Sequence, residues 1–159
     1  MIKNLHIFSI ILTVLLFDFS LVHSNSKQKK LRIVDGDTIY LGNVKYRLHG
    51  IDAPEMSQVC MKDNKNIKCG VVAKDKLLEK IGSQKVTCKQ EAIDRYKRIV
   101  AECFVNNESL SGYLVKNGYA FAYRKYSKKF IEDEEYAKKN KLGLWAMNFQ
   151  YPWDYRKKK

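Results

Sequence analysis

Residues 31–55 read LRIVDGDTIYLGNVKYRLHGIDAPE, and this stretch decides the fold. Residues 31–41 and 44–51 are rich in β-branched and aromatic side chains and are parted by Gly42-Asn43, the composition of two strands joined by a hairpin turn. A strict two-residue loop pairs Leu41 with Val44 and Thr38 with Arg47, which sets Asp37 and Arg47 on opposite faces. If both serve one site, the loop must have odd length or a bulge must shift the register by one. The same stretch gathers Asp35, Asp37, Asp52 and Glu55 around Arg47. Carboxylates hold a hard divalent cation and a planar guanidinium holds a phosphate bidentately, so the residue set suits attack on a phosphodiester.

Outward from this stretch, residues 71–81 place Ala73, Leu77 and Ile81 at helical spacing and stop at Gly82. Residues 85–90 and 98–105 read as two strands. Cys88 and Cys103 are equidistant from the midpoint between Arg95 and Tyr96, so a cross-strand disulfide would set Asp94-Arg95-Tyr96-Lys97 on a hairpin loop. Residues 108–117 predict a second helix ending at Gly118, residues 119–123 a fifth strand, and Ser127 the cap of a third helix running through Lys141. Five short strands with about three helices form an α+β pattern, best fitted by a small closed β-barrel with packed helices.

The chain has 159 residues, room for one compact domain, and 45% hydrophobic residues exclude a mostly disordered protein. Its formal charge of +13 attracts polyanions, nucleic acid first. Residues 1–24 have a positive start at Lys3 and an apolar run ending in Val22-His23-Ser24, the pattern of a cleaved signal peptide; the alternative is a retained anchor, which Asp18 weakens. Residues 25–30 form a short basic lead-in, 31–155 the domain, and 156–159 a basic, disordered tail adding nonspecific phosphate attraction. A secreted or periplasmic monomer with no stable membrane insertion after cleavage is expected.

Four cysteines in an exported domain suggest disulfides. Their order suggests Cys60–Cys69 and Cys88–Cys103, one of three possible pairings. Zinc is the alternative, but there is no C-x-x-C knuckle and His49 is the sole histidine past the leader.

Asp35-Gly36-Asp37-Thr38, Arg47, Asp52-x-Pro54-Glu55, Asp94-x-Tyr96-x-Arg98 and the late Lys141-Leu142-Gly143-Leu144-Trp145, in this order over about residues 31–154, resemble the staphylococcal (thermo)nuclease family, in its exported, cysteine-bearing bacterial branch. The resemblance implies a five-stranded OB-fold β-barrel carrying helices, and calcium-dependent hydrolysis of DNA and RNA. It implies calcium held by Asp37, Asp52 and the backbone carbonyl of Ala53. Glu55 would orient or deprotonate the attacking water, Arg47 and Arg98 would grip the scissile phosphate, and Tyr96 and Tyr123 would contact the nucleotide, the last alignment being open to a slip to Tyr126. The branch also ends in a Pro-Trp-x-x-Arg-like run, here Pro152-Trp153-Asp154-Tyr155-Arg156. Ala53 stands where threonine is familiar and keeps the carbonyl; Lys97 stands where glycine is usual, which bears on the loop before Arg98.

Each residue has a plainer reading. Asp35 and Asp37 around Gly36 are ordinary turn residues, Glu55 a solvated loop carboxylate, Arg47 and Arg98 surface charges, and Trp145 and Trp153 anchors of the C-terminal segment. Asp35 stands between, as a group beside the metal ligands that hydrogen-bonds a metal-bound water. The competing functions are a noncatalytic nucleic-acid-binding module on the same barrel, and an anchored structural protein if the leader is retained. The five charged residues Asp37, Arg47, Asp52, Glu55 and Arg98 favour the enzyme, a low-specificity endonuclease.

Overall fold

The structure, a computed structural model, describes residues 30–158. The signal-peptide reading of residues 1–24, and all of the lead-in but Lys30, lie outside the described residues. Residues 31–41 do not form one strand. They break at Gly36-Asp37 into β1 (Leu31–Asp35) and β2 (Thr38–Leu41), which pair antiparallel with an irregularity between Ile33 and Asp35. The glycine is required by packing: a Cβ on Gly36 would lie 2.8 Å from the Ala53 Cβ and 2.9 Å from that of Ala73.

β2 then pairs with β3 (Val44–Leu48) in the expected strict register, Leu41 with Val44 and Thr38 with Arg47. Gly42 takes φ +62° at the first position of the turn, as a type II′ hairpin asks. Next come β4 (Ile51–Asp52), β5 (Val59–Lys62), β6 (Lys65–Lys68) and helix α1 (Cys69–Ile81). The β5–β6 hairpin turns at Asp63 and Asn64, both at positive φ. α1 buries Ala73, Leu77 and Ile81 as their spacing requires and ends at Gly82, φ +53°.

β7 (Thr87–Ile93) and β8 (Ile99–Val105) form the expected hairpin, with Cys88 opposite Cys103. Both disulfides are those suggested by sequence order, Cys60–Cys69 and Cys88–Cys103. An irregularity between Gln90 and Ala92 moves the symmetry of the hairpin, so that Ile93 faces Ile99 and the loop centres on Tyr96 rather than between Arg95 and Tyr96.

The second helix starts later than expected. Residues 106–107 turn at positive φ and lead into β9 (Glu108–Ser109), which pairs with β8. Ser109 then caps α2 (Leu110–Lys116), accepting from the Gly112 N–H at 3.2 Å. The fifth strand shortens to β10 (Phe121–Ala122) and leaves the main sheet to pair with β4, Phe121 opposite Asp52. Ser127 does not cap the third helix: its hydroxyl accepts from the Lys129 N–H in the preceding turn, and α3 runs Ile131–Lys139. A 3-10 turn, Gly143–Ala146, and a short helix α4 (Pro152–Lys157) complete the chain. Arg156 and Lys157, read from sequence as disordered tail, belong to α4.

The architecture is α+β. The main sheet runs β1-β2-β3-β8-β7 with β9 on β8, the β3–β8 pair being parallel. Among the described residues its hydrogen bonding does not close: β1 and β7 remain opposite edges. Among the described residues the expected closed five-stranded barrel is therefore corrected to an open sheet with two small two-stranded sheets, and about three helices to four. The main core joins the inner face of this sheet to α1 and α2 through Ile39, Leu48, Ala101, Leu77 and Leu114. A second, aromatic core surrounds Phe121 with Trp145, Phe149, Tyr151 and Trp153, which ties the C-terminal segment to β10 and so to Asp52 on β4.

Candidate active site

The site forms where the β1–β2 turn, β3, β4, the loop after β4 and the C-terminal helix converge. Asp37 belongs to the turn, outside the strand alternation, so neither an odd loop nor a β2–β3 bulge is needed to bring it to Arg47. Its Oδ2 accepts from the Ala53 N–H at 2.8 Å, and its Oδ1 from the Thr38 hydroxyl at 3.1 Å. Arg47 Nη1 lies 2.6 Å from Asp37 Oδ2, and Arg47 Nη2 donates to Asp52 Oδ1 at 3.0 Å. One guanidinium thus bridges both expected metal carboxylates. Its Nη1 contact with Asp37 is an ion pair without hydrogen-bond geometry, leaving a buried donor whose unmet demand a phosphate oxygen would fill.

Asp52 is fully buried and its backbone is held by the pairing with Phe121. Burial pushes its pKa up, the Arg156 hydrogen bonds oppose this, and the Asp37 charge adds to the rise. Asp35 lies behind Asp37, its Oδ1 accepting from the Asp37 N–H at 3.0 Å. Burial and the Asp37 charge raise Asp35 to about 6. The Asp37 carboxylate thus contributes to the raised proton affinity of both its acidic neighbours, Asp35 and Asp52.

Glu55 follows on a loop whose backbone is pinned locally: its N–H donates to Gln58 Oε1 at 3.2 Å, and its carbonyl accepts from the Gln58 N–H at 2.8 Å. Gln58 is itself buried and donates through Nε2 to the Gln150 carbonyl at 2.6 Å. The residue that sequence reasoning missed is Arg156. It donates through Nη2 to Asp52 Oδ2 at 2.7 Å, and through Nη1 to Asp52 Oδ1 at 3.1 Å and Glu55 Oε1 at 2.9 Å. Burial works against its charge, but these bonds outweigh burial and raise its pKa. The one signal in sequence was the Pro-Trp-x-x-Arg ending, which spacing alone does not connect to residue 52.

Tyr96 and Arg98 stand apart from the carboxylates, on the β7–β8 loop. Arg98 donates through Nε to Asp94 Oδ2 at 2.6 Å, and its guanidinium lies 5.4 Å from the Tyr96 ring centroid. Its connection to the site is through the chain: Arg98 directly precedes β8, which pairs with β3 at Val100 and Arg47. Lys97, where the resemblance leads one to expect glycine, takes φ +60°, the backbone conformation glycine adopts at least cost. Tyr123 follows β10, donates its N–H to the Gly50 carbonyl at 2.9 Å, and stacks on Trp153 at 5.7 Å with an interplanar angle of 4°. Tyr126 lies edge-on to it at 4.9 Å, so both candidate tyrosines occupy one place. His49 directly follows β3; its N–H donates to the Ala101 carbonyl at 2.9 Å, and its carbonyl accepts from the Ser111 hydroxyl at 3.0 Å.

Among the described residues no three acidic, histidine or cysteine side chains form a closed metal cage. The donor set fits a hard cation that keeps much of its water: two carboxylates bridged by Arg47, and Ala53, whose N–H is already committed to Asp37, with its carbonyl oxygen.

An acidic pair bridged by arginine, beside a glutamate-bearing loop on an α+β sheet, is the class of site these elements build. The chain belongs to the staphylococcal nuclease family, residues 45–147 matching the family described as staphylococcal nuclease homologue. It is similar to an uncharacterized endonuclease of Haemophilus influenzae, 33% identical over 87% of this chain and 79% of that protein. It is also 30% identical, over 89% of its length, to a probable staphylococcal-like nuclease of Oryza sativa subsp. japonica, of which it spans 27%. A prophage-derived endonuclease of Bacillus subtilis is 35% identical over 74% of this chain and 43% of its own length.

Proposed function

We propose that this protein is a calcium-dependent endonuclease that hydrolyses the phosphodiester bonds of DNA and RNA with low sequence specificity. The observation that carries this reading is the Arg47 guanidinium held between Asp37 and Asp52, with Glu55 on the adjoining loop, in a chain of this family. The relatives named as nucleases support it.

Asp37, Asp52 and the Ala53 carbonyl are the residues that would hold calcium. When bound, the ion supplies Lewis acidity to the phosphate and eases ionisation of water. Arg47 and Arg98 bind the scissile phosphate and neutralise the charge that builds on it as water attacks. Guanidinium suits this better than ammonium because its planar fork matches two oxygens. Loss of one such donor costs about 3 kcal/mol of barrier, a hundredfold or more in rate. Glu55 orients the attacking water and accepts its proton. Tyr96 and Tyr123 hold the nucleotide on either side.

The meander β1-β2-β3, its parallel join to β8 and the β8–β7 hairpin support an OB-type arrangement of the sheet. Two disulfides favour an oxidising compartment, periplasmic or extracellular, and no described helix is long and apolar enough to cross a membrane. We take the working unit to be a monomer.

The test is hydrolysis of single-stranded DNA by the purified, oxidised protein, with excess calcium and with a chelator at one ionic strength. Cleavage in calcium alone is expected. Tight binding without cleavage under any divalent metal would replace the enzyme with a noncatalytic nucleic-acid-binding module.

A further inference from the structure

We propose that Arg156 is a positioning residue of this site, holding the Glu55 carboxylate beside Asp52 from the C-terminal helix. The inference rests on the nuclease reading above and adds a part that reading does not contain. The Glu55 side chain is 37% exposed, and among the described residues its carboxylate has one partner, Arg156 Nη1 at 2.9 Å. A glutamate on an open loop samples several rotamers, and only a fixed one can meet the attacking water. The Gln58 bonds restrain its backbone, and Arg156 restrains its carboxylate.

The geometry needs an arginine. One fork spans two acids, Nη1 reaching Asp52 Oδ1 and Glu55 Oε1 while Nη2 holds Asp52 Oδ2. A lysine is a point donor and lacks that fixed fork.

The helix that carries Arg156 is itself fastened to the site's surroundings. Trp153 stacks on Tyr123, and the Tyr155 hydroxyl meets the Ser57 hydroxyl at 3.2 Å, two residues beyond Glu55. Two side chains of α4, Trp153 and Arg156, therefore bear on the residues assigned to nucleotide, water and metal, and a third, Tyr155, on the loop that carries Glu55. Arg156 also differs from Arg47: its side chain is 39% exposed against 14%, and it touches Glu55, which Arg47 does not.

A double-mutant cycle tests this with Arg156→Gln, Glu55→Ala and the pair, assayed on a short single-stranded oligonucleotide in calcium. Arg156→Gln is expected to lower kcat by about tenfold to a hundredfold with KM within about threefold, the cost of misplacing a reacting group. In the Glu55→Ala background the same change is expected to cost less than about twofold, because residues acting as a unit are non-additive. Arg156→Lys is expected to recover part of kcat.

Multiplying losses, or a raised KM with kcat intact, would overturn the proposal, the second by making Arg156 a substrate ligand. Calorimetry with calcium alone supplies a readout apart from turnover. Arg156→Gln is expected to bind calcium at least as tightly as the parent, since Asp52 loses a competing donor; weaker binding would mean that Arg156 merely props the fold. If Arg156→Gln does not fold, the cycle is run with Arg156→Lys and judged by the same additivity. A parent protein that fails to cleave removes the nuclease reading and this proposal with it, whereas a cleaving parent with an additive cycle removes this proposal alone.

Discussion

Gly70 lies directly against the backbone of Glu55: a Cβ on Gly70 would fall 1.9 Å from the Glu55 carbonyl oxygen and 2.4 Å from its carbonyl carbon. The first turn of α1 thus serves as a floor for the loop that presents Glu55. Gly70→Ala would gain about 1 kcal/mol of intrinsic helix propensity. The clash is with backbone, which cannot rotate away, and we expect a net destabilisation of about 1–3 kcal/mol as for other overpacked sites. Denaturant unfolding and the cleavage assay would both report it, with turnover falling more than stability alone explains. Parental stability and turnover would contradict the floor role.

Asp52 and Glu55 are expected to separate cleanly by mutation. Asp52→Ala removes a fully buried carboxylate with three arginine hydrogen bonds and should weaken calcium binding itself, read by calorimetry. Glu55→Ala should leave calcium and oligonucleotide binding close to parental and reduce kcat by about a hundredfold or more, the range for a general base. A Glu55→Ala protein that digests DNA at the parental rate would remove Glu55 from the mechanism.

Arg47 neutralises two carboxylates at once. Arg47→Ala leaves Asp37 and Asp52 without it, and breaking a buried pair by removing one partner typically costs about 3–5 kcal/mol. Because Arg156 still holds Asp52, we expect the lower end of that range. Calcium should stabilise this variant more than the parent, measured as the difference in Tm with and without the ion. An equal calcium shift in both proteins would place the ion elsewhere.

Lys97 occupies left-handed backbone space that costs a non-glycine residue about 1–2 kcal/mol. Lys97→Gly should therefore leave the Asp94–Arg98 loop intact and stabilise the protein by up to about 1 kcal/mol, less any entropy returned to the unfolded chain. Equilibrium unfolding decides the sign. A clear destabilisation would show that the lysine side chain makes a compensating contact.

Asp94 links this loop to pH. Burial pushes its carboxyl up, but the Arg98 N–H and guanidinium and the Tyr96 N–H outweigh burial and hold it below the ordinary value of 3.8. A carboxylate depressed in the folded state contributes stability that is present above its unfolded pKa and is lost as pH falls through the folded one. The loop contact should therefore persist at pH 4 and fail below the depressed value. A carboxyl-detected NMR titration of Asp94 would show a midpoint under 3.8, and Arg98→Ala should move that midpoint upward.

Local patterns along the chain were enough for the α+β class, the helix on Ala73, Leu77 and Ile81, the strict β2–β3 register and the acidic residues around Arg47. These are consequences of local periodicity, turn chemistry and residue type, which a chain carries without reference to distant contacts. The tertiary structure decided the rest. Asp37 meets Arg47 because Gly36 packs against Ala53 and Ala73 and turns the chain before the strand alternation begins, a contact between segments far apart in sequence. Phe121 fixes Asp52 by a two-residue pairing too short to have a period, and the open edges of the sheet depend on partners that no strand pattern specifies. Arg156 shows the difference most sharply. In sequence it opens a basic run, and a charge run is ordinarily solvated; in space the aromatic core around Phe121 brings α4 across β4, and the long-range burial of those rings puts a guanidinium on Asp52 and Glu55.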